Sequence, residues 1–373
     1  MNDTLGIILT GIGDADLGDL TRMRSVAALP IFGRYRLIDF LVSSMVNSGI
    51  TNVGVSTLSI YRSLMDHLGS GKEWDLSRKL YGLFILPPFM GNKRSDTVTG
   101  DMDILDGITD YLTRSKQEYV MLCGSHAVLN TTFYELRDQH IDSGADITVM
   151  CCKQPACPPN HAPRFASLTV DETGRVTDMR ARAGLREEEY RCMDIWFMKK
   201  SFLTDQIAHC AAHGLHDFVM DVVIRNLDTL NIRAYKYDGP VGMIDSPQDY
   251  YRESMRLLNL DAYKALFPAE LPIYTKIKDQ VPSKYSTGAK VRNSIVADGC
   301  TIEGTVENCI LFRGVEIAKG AYVRDSIIMQ NTVIGENARL NCVILDKNVV
   351  VGDGKQLSGQ SSYPVVVHKN SEI

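Results

Sequence analysis

The sequence predicts an α/β domain with a mostly parallel, Rossmann-like sheet, followed by a left-handed parallel β-helix. Two observations predict this order. Strand-like and helix-like segments alternate through the first two-thirds of the chain, which is typical of a parallel sheet covered by helices. From about residue 289 the apolar residues instead recur every six positions, which is the spacing of a β-helix whose coils stack around one apolar column.

The alternating segments of the first domain follow one another in a regular order. Thr51–Ser56, Tyr119–Cys123 and Ile147–Cys152 are short apolar runs that predict strands. Ile60–Leu68 and Thr132–Ser143 have the pattern of helices. Ligands of parallel α/β sheets bind at the carboxyl ends of the strands, so we expect the functional residues of this domain to follow its strands.

The first domain is expected to close with an amphipathic helix at Tyr250–Leu260, after which several prolines mark a linker. In the β-helix, Leu311, Ile317 and Val323 illustrate the six-residue spacing. The ends of such a helix expose strand edges, and oligomerisation is a common way to cover them. The predicted organisation is a domain over residues 1–262, a linker over 263–288 and a β-helix over 289–373.

The composition excludes several classes of function. The chain has 373 residues, of which 45% are apolar, and its formal net charge is −5. Because it carries no long basic run, nucleic acid and anionic membranes are not expected partners. No stretch approaches the roughly 20 apolar residues of a membrane span. The apolar run Leu5–Leu9 is too short for a signal peptide and lacks a basic flank.

The cysteines indicate reduced thiols. The chain has nine of them, an odd number without CxxC spacing, which favours free thiols in a reducing compartment over a disulfide framework. Cys151 and Cys152 are adjacent on a predicted strand and therefore point to opposite faces, which disfavours a shared metal or redox role. We therefore expect a soluble cytoplasmic protein.

A glycine loop follows the apolar run Leu5–Leu9. Its glycines are Gly11 and Gly13, and a glycine loop after a strand presents backbone N–H groups that bind phosphate. Asp14 and Asp16 place negative charge where a triphosphate needs cations. A carboxylate about 4 Å from a phosphate oxygen costs about 1 kcal/mol in water and about 4 kcal/mol at an effective dielectric constant of 20. The loop therefore has the form of a nucleotide site and the wrong charge for one.

Two phrases after this loop carry a specific resemblance. Gly33–Phe40 reads GRYRLIDF, and Asn47–Ile50 reads NSGI. With them the chain resembles ADP-glucose pyrophosphorylase, a family of sugar-phosphate nucleotidylyltransferases, and the similarity continues into the C-terminal third. The resemblance implies a GT-A-like nucleotidyltransferase domain. It also implies the reaction in which glucose 1-phosphate attacks ATP, giving ADP-glucose and pyrophosphate.

The family motifs fall on this sequence with their charged residues missing. By the resemblance, Asp16 replaces the loop arginine, and Val26 replaces a lysine. Ser125 and Met243 replace the two aspartates that bind magnesium. A hydroxyl is a weak ligand for this ion, and a thioether is a very poor one. Because the reaction depends on positioning and on cations, the resemblance implies that ordinary turnover is lost.

Other motif positions keep a residue that fits. Arg182, Asp217 and Phe218 match the side of the site that holds the sugar phosphate, which leaves weak sugar-phosphate binding without catalysis open. Arg24 and Arg36 match positions near the allosteric anion site of bacterial pyrophosphorylases. The resemblance implies an effector site there for a phosphorylated metabolite or inorganic phosphate. The alternative is ordinary ion pairing.

This pattern of losses resembles the GlgD-type subunit of bacterial ADP-glucose pyrophosphorylase, a degenerate paralogue of the catalytic GlgC-type chain. The opening phrase GIIL, the segment Thr21–Arg24 and the stretch around GRYRLIDF carry this resemblance. It implies a non-catalytic regulatory subunit that assembles with an active glucose-1-phosphate adenylyltransferase in glycogen biosynthesis. A hetero-tetramer is expected, with a homo-oligomer as the alternative. No cofactor is expected for this chain, and magnesium is expected for the catalytic partner.

Two alternatives stay open. One is an active glucose-1-phosphate adenylyltransferase that places its metal unusually, through Asp101, Asp103 or Asp245. The simpler explanation of Asp101 and Asp103 is the favourable field at a helix N-terminus. The other alternative is a β-helix acyltransferase. It is disfavoured because the coils carry no catalytic-looking histidine, and His368 lies in the tail.

Overall fold

A computed structural model describes residues 1–11, 14–58, 60–87, 98–155 and 166–373. The chain forms two compact units. The first unit comprises Met1–Ile12, Leu41–Tyr61 and Leu68–Gly239. The second comprises Gly13–Phe40, Arg62–His67 and Pro240–Ile373. The predicted division at residues 262 and 288 is linear, whereas these units are interleaved along the sequence.

Strands and helices alternate through residue 266. The strands are β1 (Thr4–Ile8), β2 (Pro30–Ile31), β3 (Tyr35–Arg36), β4 (Asn52–Ser56), β5 (Gly82–Leu86), β6 (Tyr119–Cys123), β7 (Ala127–Leu129), β8 (Ile147–Cys152), β9 (Ser167–Val170), β10 (Val176–Arg180), β11 (Tyr190–Lys199), β12 (Ile232–Lys236) and β13 (Val241–Met243). The α-helices are α1 (Leu37–Asn47), α2 (Arg62–Leu68), α3 (Asp101–Gly107), α4 (Thr109–Arg114), α5 (Tyr134–Ser143), α6 (Lys200–His213), α7 (Pro247–Arg256) and α8 (Leu260–Leu266). Short helical turns lie at Asp14–Leu20, Val26–Ala28, Lys72–Trp74, Phe218–Val223 and Ile224–Asn226.

The first unit is built on a mixed, mostly parallel sheet. Its strand order is β10-β9-β11-β6-β1-β4-β5, and β8 joins β11 to β12. β6, β1, β4 and β5 are parallel neighbours, whereas β11 runs antiparallel to β6. Every residue of β1, β4 and β8 is buried. Strands covered on both faces read as apolar runs, which explains the composition of these three strands. The predicted α/β class is confirmed.

The second unit contains the β-helix. Its strands are β14 (Lys284–Tyr285), β15 (Lys290–Arg292), β16 (Ile295–Val296), β17 (Thr301–Ile302), β18 (Thr305–Glu307), β19 (Ile310–Leu311), β20 (Glu316–Ile317), β21 (Tyr322–Arg324), β22 (Ile327–Ile328), β23 (Val333–Ile334), β24 (Arg339–Asn341), β25 (Val343–Leu345), β26 (Val350–Val351), β27 (Gln356–Ser358) and β28 (Val365–Val367). They form three parallel sheets of five strands each. The predicted left-handed β-helix is confirmed, and its first strand lies ahead of the predicted start at residue 289.

One apolar column fills this helix, as the six-residue spacing predicts. Leu311, Ile317 and Val323 all lie in it and are at most 1% exposed. The turns between strands use residues with positive φ, and Asn331, Asn337 and others supply them. Asparagine tolerates this left-handed conformation better than other residues with a side chain, so the coils turn without large strain.

The second unit also contains a short hairpin from the GRYRLIDF phrase. β2 and β3 pair antiparallel, and the turn between them contains Gly33 with φ 81°. Phe32, Phe40 and Phe267 pack edge to face beside it, with ring centroids 5.7 to 6.3 Å apart. The hydroxyl of Tyr250 donates to the carbonyl of Pro30 at 2.7 Å. These contacts fix the position of the arginines that flank Tyr35.

Helix α7 begins earlier than the predicted helix at Tyr250–Leu260. Ser246 caps it, since its hydroxyl accepts a hydrogen bond from the backbone N–H of Asp249 at 3.1 Å. Pro247 occupies the first turn, where its missing N–H is not needed. The helix ends at Arg256, and a second helix, α8, follows. The sequence pattern thus predicted the helix but not its bounds.

The cysteines that the structure describes are free and buried, in agreement with reduced thiols. In the described ranges, no helix combines the length and the apolar character needed to cross a membrane.

The turn residues of the β-helix can be tested at Asn337, which is exposed and has φ 56°. Asn337→Val should destabilise the protein by ~1–2 kcal/mol, because a β-branched residue is strained in the left-handed region. Asn337→Gly is the control and should change stability by less than about 0.5 kcal/mol. Urea unfolding measures both. Equal losses for the two variants would contradict the assigned turn.

Candidate functional site

The glycine loop after β1 lies against the end of β4 in the first unit. The hydroxyl of Thr10 donates to the carbonyl of Ser56 at 2.6 Å, and the Thr10 N–H donates to the Ser56 hydroxyl at 3.2 Å. Gly11 has φ 90°, and a Cβ there would lie 2.9 Å from the side chain of Leu58. This position therefore requires glycine. Gly13 and the side chain of Asp14 lie outside the described residues.

The positions that the resemblance assigns to cations hold no cation. In the second unit, Asp16 is exposed. Val26 is fully buried in a short turn whose residues are all buried. An apolar core residue thus stands where the family carries a lysine, so this position contributes to packing.

The positions assigned to magnesium do not fit this ion. Ser125 follows β6 in the first unit and is 2% exposed, and Met243 ends β13 in the second unit and is 1% exposed. Neither side chain supplies the carboxylate oxygen that magnesium prefers. Asp245 is half-buried in the second unit. Across the described parts of the chain, no group of three or more His, Cys, Asp and Glu side chains is placed to hold a metal.

Asp101 and Asp103 accept hydrogen bonds at the start of α3. Asp103 Oδ2 accepts from the backbone N–H groups of Thr99 and Gly100, at 2.8 and 3.1 Å, and Oδ1 lies 2.8 Å from His216 Nδ1. Asp101 Oδ1 accepts from the N–H of Phe218 at 2.7 Å. Burial raises the pKa of Asp101 to about 7, and the nearby charges of Asp217 and Asp194 add to this increase. These contacts match the helix-terminus explanation of the two carboxylates.

The residues assigned to the sugar phosphate have other contacts. Arg182 is exposed with φ 52°. Asp217 caps the Phe218–Val223 turn, because its Oδ1 accepts from the N–H of Met220 at 2.8 Å. Phe218 is 1% exposed and packs edge to face on Trp196, with ring centroids 5.3 Å apart. Asp217 and Phe218 therefore have a structural role in the first unit.

Asp194 lies in the middle of β11 and is absent from the residues predicted above. It has φ 55°, and the pairing of β11 with β8 shifts register at this point. The indole N–H of Trp196 donates to Asp194 Oδ1 at 3.0 Å, and the N–H of Gly124 donates to the Asp194 carbonyl at 2.8 Å. A Cβ on Gly124 would lie 1.8 Å from Asp194 Oδ2. The signal in the sequence is an aspartate inside an otherwise apolar stretch of strand.

Arg24 forms a buried ion pair within the second unit. Its Nη2 donates to both carboxylate oxygens of Asp346, at 2.8 and 2.9 Å, and its Nη1 donates to the carbonyl of Leu20 at 3.2 Å. The two charged side chains are 3% and 2% exposed. The ion-pairing alternative thus describes the contacts of Arg24.

Arg36 lines a cavity of about 260 Å³ in the second unit. Its guanidinium donates to the Ser63 carbonyl and hydroxyl at 2.6 and 2.9 Å. Asp39 links Arg36 to His67. One of its carboxylate oxygens accepts a hydrogen bond from the Arg36 backbone N–H, and the other lies 2.5 Å from His67 Nε2. The residues that line the cavity are Arg34, Tyr35, Arg36, His67, Lys276, Lys278, Gln280, Arg313, Gln330, Asn331, Lys347, Asn348 and Lys369.

This lining, which we call the basic pocket, has seven lysines and arginines and no carboxylate. Burial lowers the pKa of Lys347 to about 7, and the charges of Arg36 and Arg24 lower it further. Burial and the neighbouring Arg34 also lower the pKa of Arg313. The Nε of Arg313 is buried without a hydrogen-bond partner among the residues that the structure describes. An anion would relieve this repulsion and supply the acceptor.

The coil period of the β-helix builds one wall of the basic pocket. Arg313, Gln330, Lys347 and Lys369 each precede a residue with positive φ at a turn. None of these four side chains was predicted from the sequence, since each alone is an ordinary polar residue. The sequence pattern that could have identified them is a polar residue followed by Gly or Asn at the equivalent turn of successive coils.

Comparison with known proteins gives the family of both parts of the sequence. Residues 5–236 match the nucleotidyl transferase family, and residues 279–362 match the GlmU-like C-terminal hexapeptide family. The chain is 36% identical over 368 residues to the glycogen biosynthesis protein GlgD of Bacillus subtilis (strain 168), covering 99% of this chain and 96% of that protein. It is 40% identical over 326 residues to GlgD of Geobacillus stearothermophilus, covering 86% and 83%. It is 28% identical over 379 residues to the glucose-1-phosphate adenylyltransferase of Fervidobacterium nodosum, covering 100% and 90%.

The buried pair of Arg24 and Asp346 gives a stability prediction. Arg24→Met should destabilise the protein by ~3–5 kcal/mol, because it leaves a buried carboxylate without its partner. The double variant with Asp346→Leu should lose less than the two single variants together. Urea unfolding measures this.

The control for this pair is Arg78→Met, which removes an ion pair with Asp75 whose side chains are 42% and 85% exposed. That variant should lose less than about 1 kcal/mol. If Arg24→Met and Arg78→Met lose the same amount, Arg24 does not stabilise the second unit through Asp346.

Proposed function

The chain belongs to the nucleotidyl transferase family and, within it, to the GlgD-type glycogen biosynthesis proteins, and from this premise we propose that it is a regulatory subunit without ordinary catalysis. It assembles with a catalytic glucose-1-phosphate adenylyltransferase and modulates the rate of ADP-glucose formation from ATP and glucose 1-phosphate. The observation that carries the regulatory role is the basic pocket of the second unit, which is suited to an anionic effector.

The proposed loss of catalysis follows from the charges that are missing. Phosphoryl and nucleotidyl transfer depend on cations that stabilise the charge developing on phosphate oxygens. Removing one such group commonly costs ~10²–10³ in rate. Val26 and Met243 are buried apolar side chains at two of these positions, and Ser125 offers a hydroxyl at a third. Magnesium therefore belongs to the catalytic partner in this proposal.

The proposed effector is a phosphorylated metabolite or inorganic phosphate. Arg36 is held at the wall of the basic pocket by its hydrogen bonds to Ser63, while Arg313 and Lys347 face the same cavity from the β-helix. One guanidinium group can donate hydrogen bonds to two phosphate oxygens at once, and a lysine adds a point charge. Arg24, whose charge is paired with Asp346, supports this wall without binding the effector itself.

The proposed assembly is a hetero-tetramer in the cytoplasm, with a homo-oligomer as the alternative. The glucose-1-phosphate adenylyltransferase of Fervidobacterium nodosum aligns with 100% of this chain and 90% of its own length, so a catalytic chain of similar architecture is a suitable kind of partner. Related chains of one fold can form the closed, near-symmetric contacts that are usual in oligomers. Buried free thiols fit a reducing compartment.

The activity test uses the chain alone and with a catalytic glucose-1-phosphate adenylyltransferase purified from the same cell. Alone, it should form ADP-glucose at least ~10³-fold more slowly than the catalytic chain, because several cationic and metal-binding groups are absent. Mixed with that chain, it should co-elute in gel filtration and change the rate or the effector response.

Turnover by the purified chain at the rate of its catalytic relative would contradict the proposal. That outcome would instead support an active adenylyltransferase with an unusual metal site. Absence of any complex and of any effect on the rate would refute the regulatory role.

The basic pocket predicts that anion affinity depends on pH. Sulfate is a suitable probe, because it keeps its charge between pH 6 and 8. Burial lowers the pKa of Lys347 to about 7, and a bound anion favours the charged amine. Binding therefore takes up a proton, and affinity falls as the pH rises. The charged fraction of Lys347 falls about tenfold from pH 6 to 8, so the sulfate Kd measured by calorimetry should rise about tenfold.

Lys347→Met should weaken sulfate binding at pH 6 and remove this pH dependence. Lys319→Met is the matched control, because Lys319 is an exposed lysine of the β-helix outside the pocket lining. It should leave both the affinity and its pH dependence unchanged. A sulfate Kd that does not vary with pH in the unmodified protein would refute the assigned role of Lys347.

A further inference from the structure

Asp194 adopts a backbone conformation that strands do not use. Its φ of 55° lies in the left-handed region, where a residue with a side chain is strained, and the register of β11 against β8 shifts between Cys192 and Trp196. Strained residues persist only where the surrounding structure holds them, and they concentrate at functional sites.

The carboxylate of Asp194 fills the space beside Gly124 in the first unit. A Cβ placed on Gly124 would lie 1.8 Å from Asp194 Oδ2, so the oxygen occupies the volume that a side chain would take. The indole N–H of Trp196 donates to the other oxygen, Oδ1, at 3.0 Å and fixes the orientation. Trp196 itself is 1% exposed, so this donor is held rigidly by the core.

Gly124 is the first residue after β6, one of the parallel strands of the sheet. Ligands of such sheets bind outside the carboxyl ends of the strands, and the backbone at that point approaches them closely. The charge of Asp194 is felt here, because it adds to burial in raising the pKa of the Cys123 thiol at the end of β6. It also adds to the raised pKa of Asp101.

We propose that Asp194 is an internal carboxylate at the carboxyl end of β6, where ligands of such a sheet bind, and that it excludes sugar phosphates from this position. This inference rests on the proposed function, which it deepens: the chain is inactive through lost cations and also through a built-in competitor for phosphate. A carboxylate and a phosphate repel each other, and Oδ2 takes the space beside the backbone of Gly124. Asp194 is thus a specificity-determining residue for what this cleft can bind.

The test measures binding of glucose 1-phosphate by calorimetry, without ATP or magnesium. Asp194→Gly removes the carboxylate and suits the positive φ, so it should bind glucose 1-phosphate at least tenfold more tightly than the unmodified protein. Asp194→Asn removes the charge but keeps the size and the acceptor for Trp196. It should give a smaller gain, which separates the effect of charge from that of space.

Asp178→Asn is the matched control, because Asp178 is an exposed aspartate on β10 of the same sheet. It should leave the binding of glucose 1-phosphate unchanged. Circular dichroism and the thermal transition show whether each variant is folded. If Asp194→Gly does not fold, the Asp194→Asn variant alone must show a gain for the proposal to stand.

Equal binding of glucose 1-phosphate by the unmodified protein and by both folded variants would overturn the proposal. This outcome is distinguishable from failure of the proposed function, which is decided by ADP-glucose formation and by complex formation with the catalytic chain. Even if the chain were active alone, removal of Asp194 could still increase its affinity for glucose 1-phosphate. Even if the chain were regulatory, removal of Asp194 could leave this affinity unchanged.

Discussion

The second unit depends on the buried ion pair between Arg24 and Asp346. The two residues are 322 positions apart in sequence, and both side chains are almost fully buried. A buried pair of this kind fixes geometry, because neither charge tolerates the loss of its partner. It holds the segment that carries Arg36 against the coil that carries Lys347, within one unit. The ion pair thus joins the two pieces of chain that supply Arg36 and Lys347 to the basic pocket.

The two sites have opposite charge. In the first unit, Asp101, Asp194 and Asp217 lie close enough for the charges of the last two to raise the pKa of the first. In the second unit, burial and then neighbouring cations lower the pKa values of Lys347 and Arg313, and the lining of the basic pocket has no carboxylate. Both proposals rest on this difference, because carboxylates repel a phosphate ester and unpaired cations attract it.

Local sequence signals predicted the parts of the fold that depend on local patterns. Apolar runs predicted strands β4, β6 and β8, because burial on both faces imposes such runs. The six-residue spacing predicted the β-helix, because stacking of coils imposes that period. The end of α7 was missed, since a helix boundary depends on caps more than on periodicity. The partner of Arg24 was not predictable, because nothing near it in sequence indicates Asp346.

The site was harder to predict than the fold for the same reason. Lys347 and Arg313 become one wall only when successive coils place equivalent corners side by side. Asp194 was visible as a charge within an apolar strand, but the space that it fills depends on the pairing of β11 with β6. Properties that arise from residues far apart in sequence require the three-dimensional arrangement.

The residues at the positions where the resemblance places charged groups follow a physical pattern. Val26 and Met243 are buried apolar side chains, whereas a lysine and an aspartate at such positions would have to lose their hydration. Catalytic groups are commonly held at a cost in stability, so their loss permits better packing. The second unit thus has packed apolar side chains at two positions where the resemblance places charged groups. This packing agrees with the proposed function, because assembly and effector binding require a folded chain and neither requires turnover.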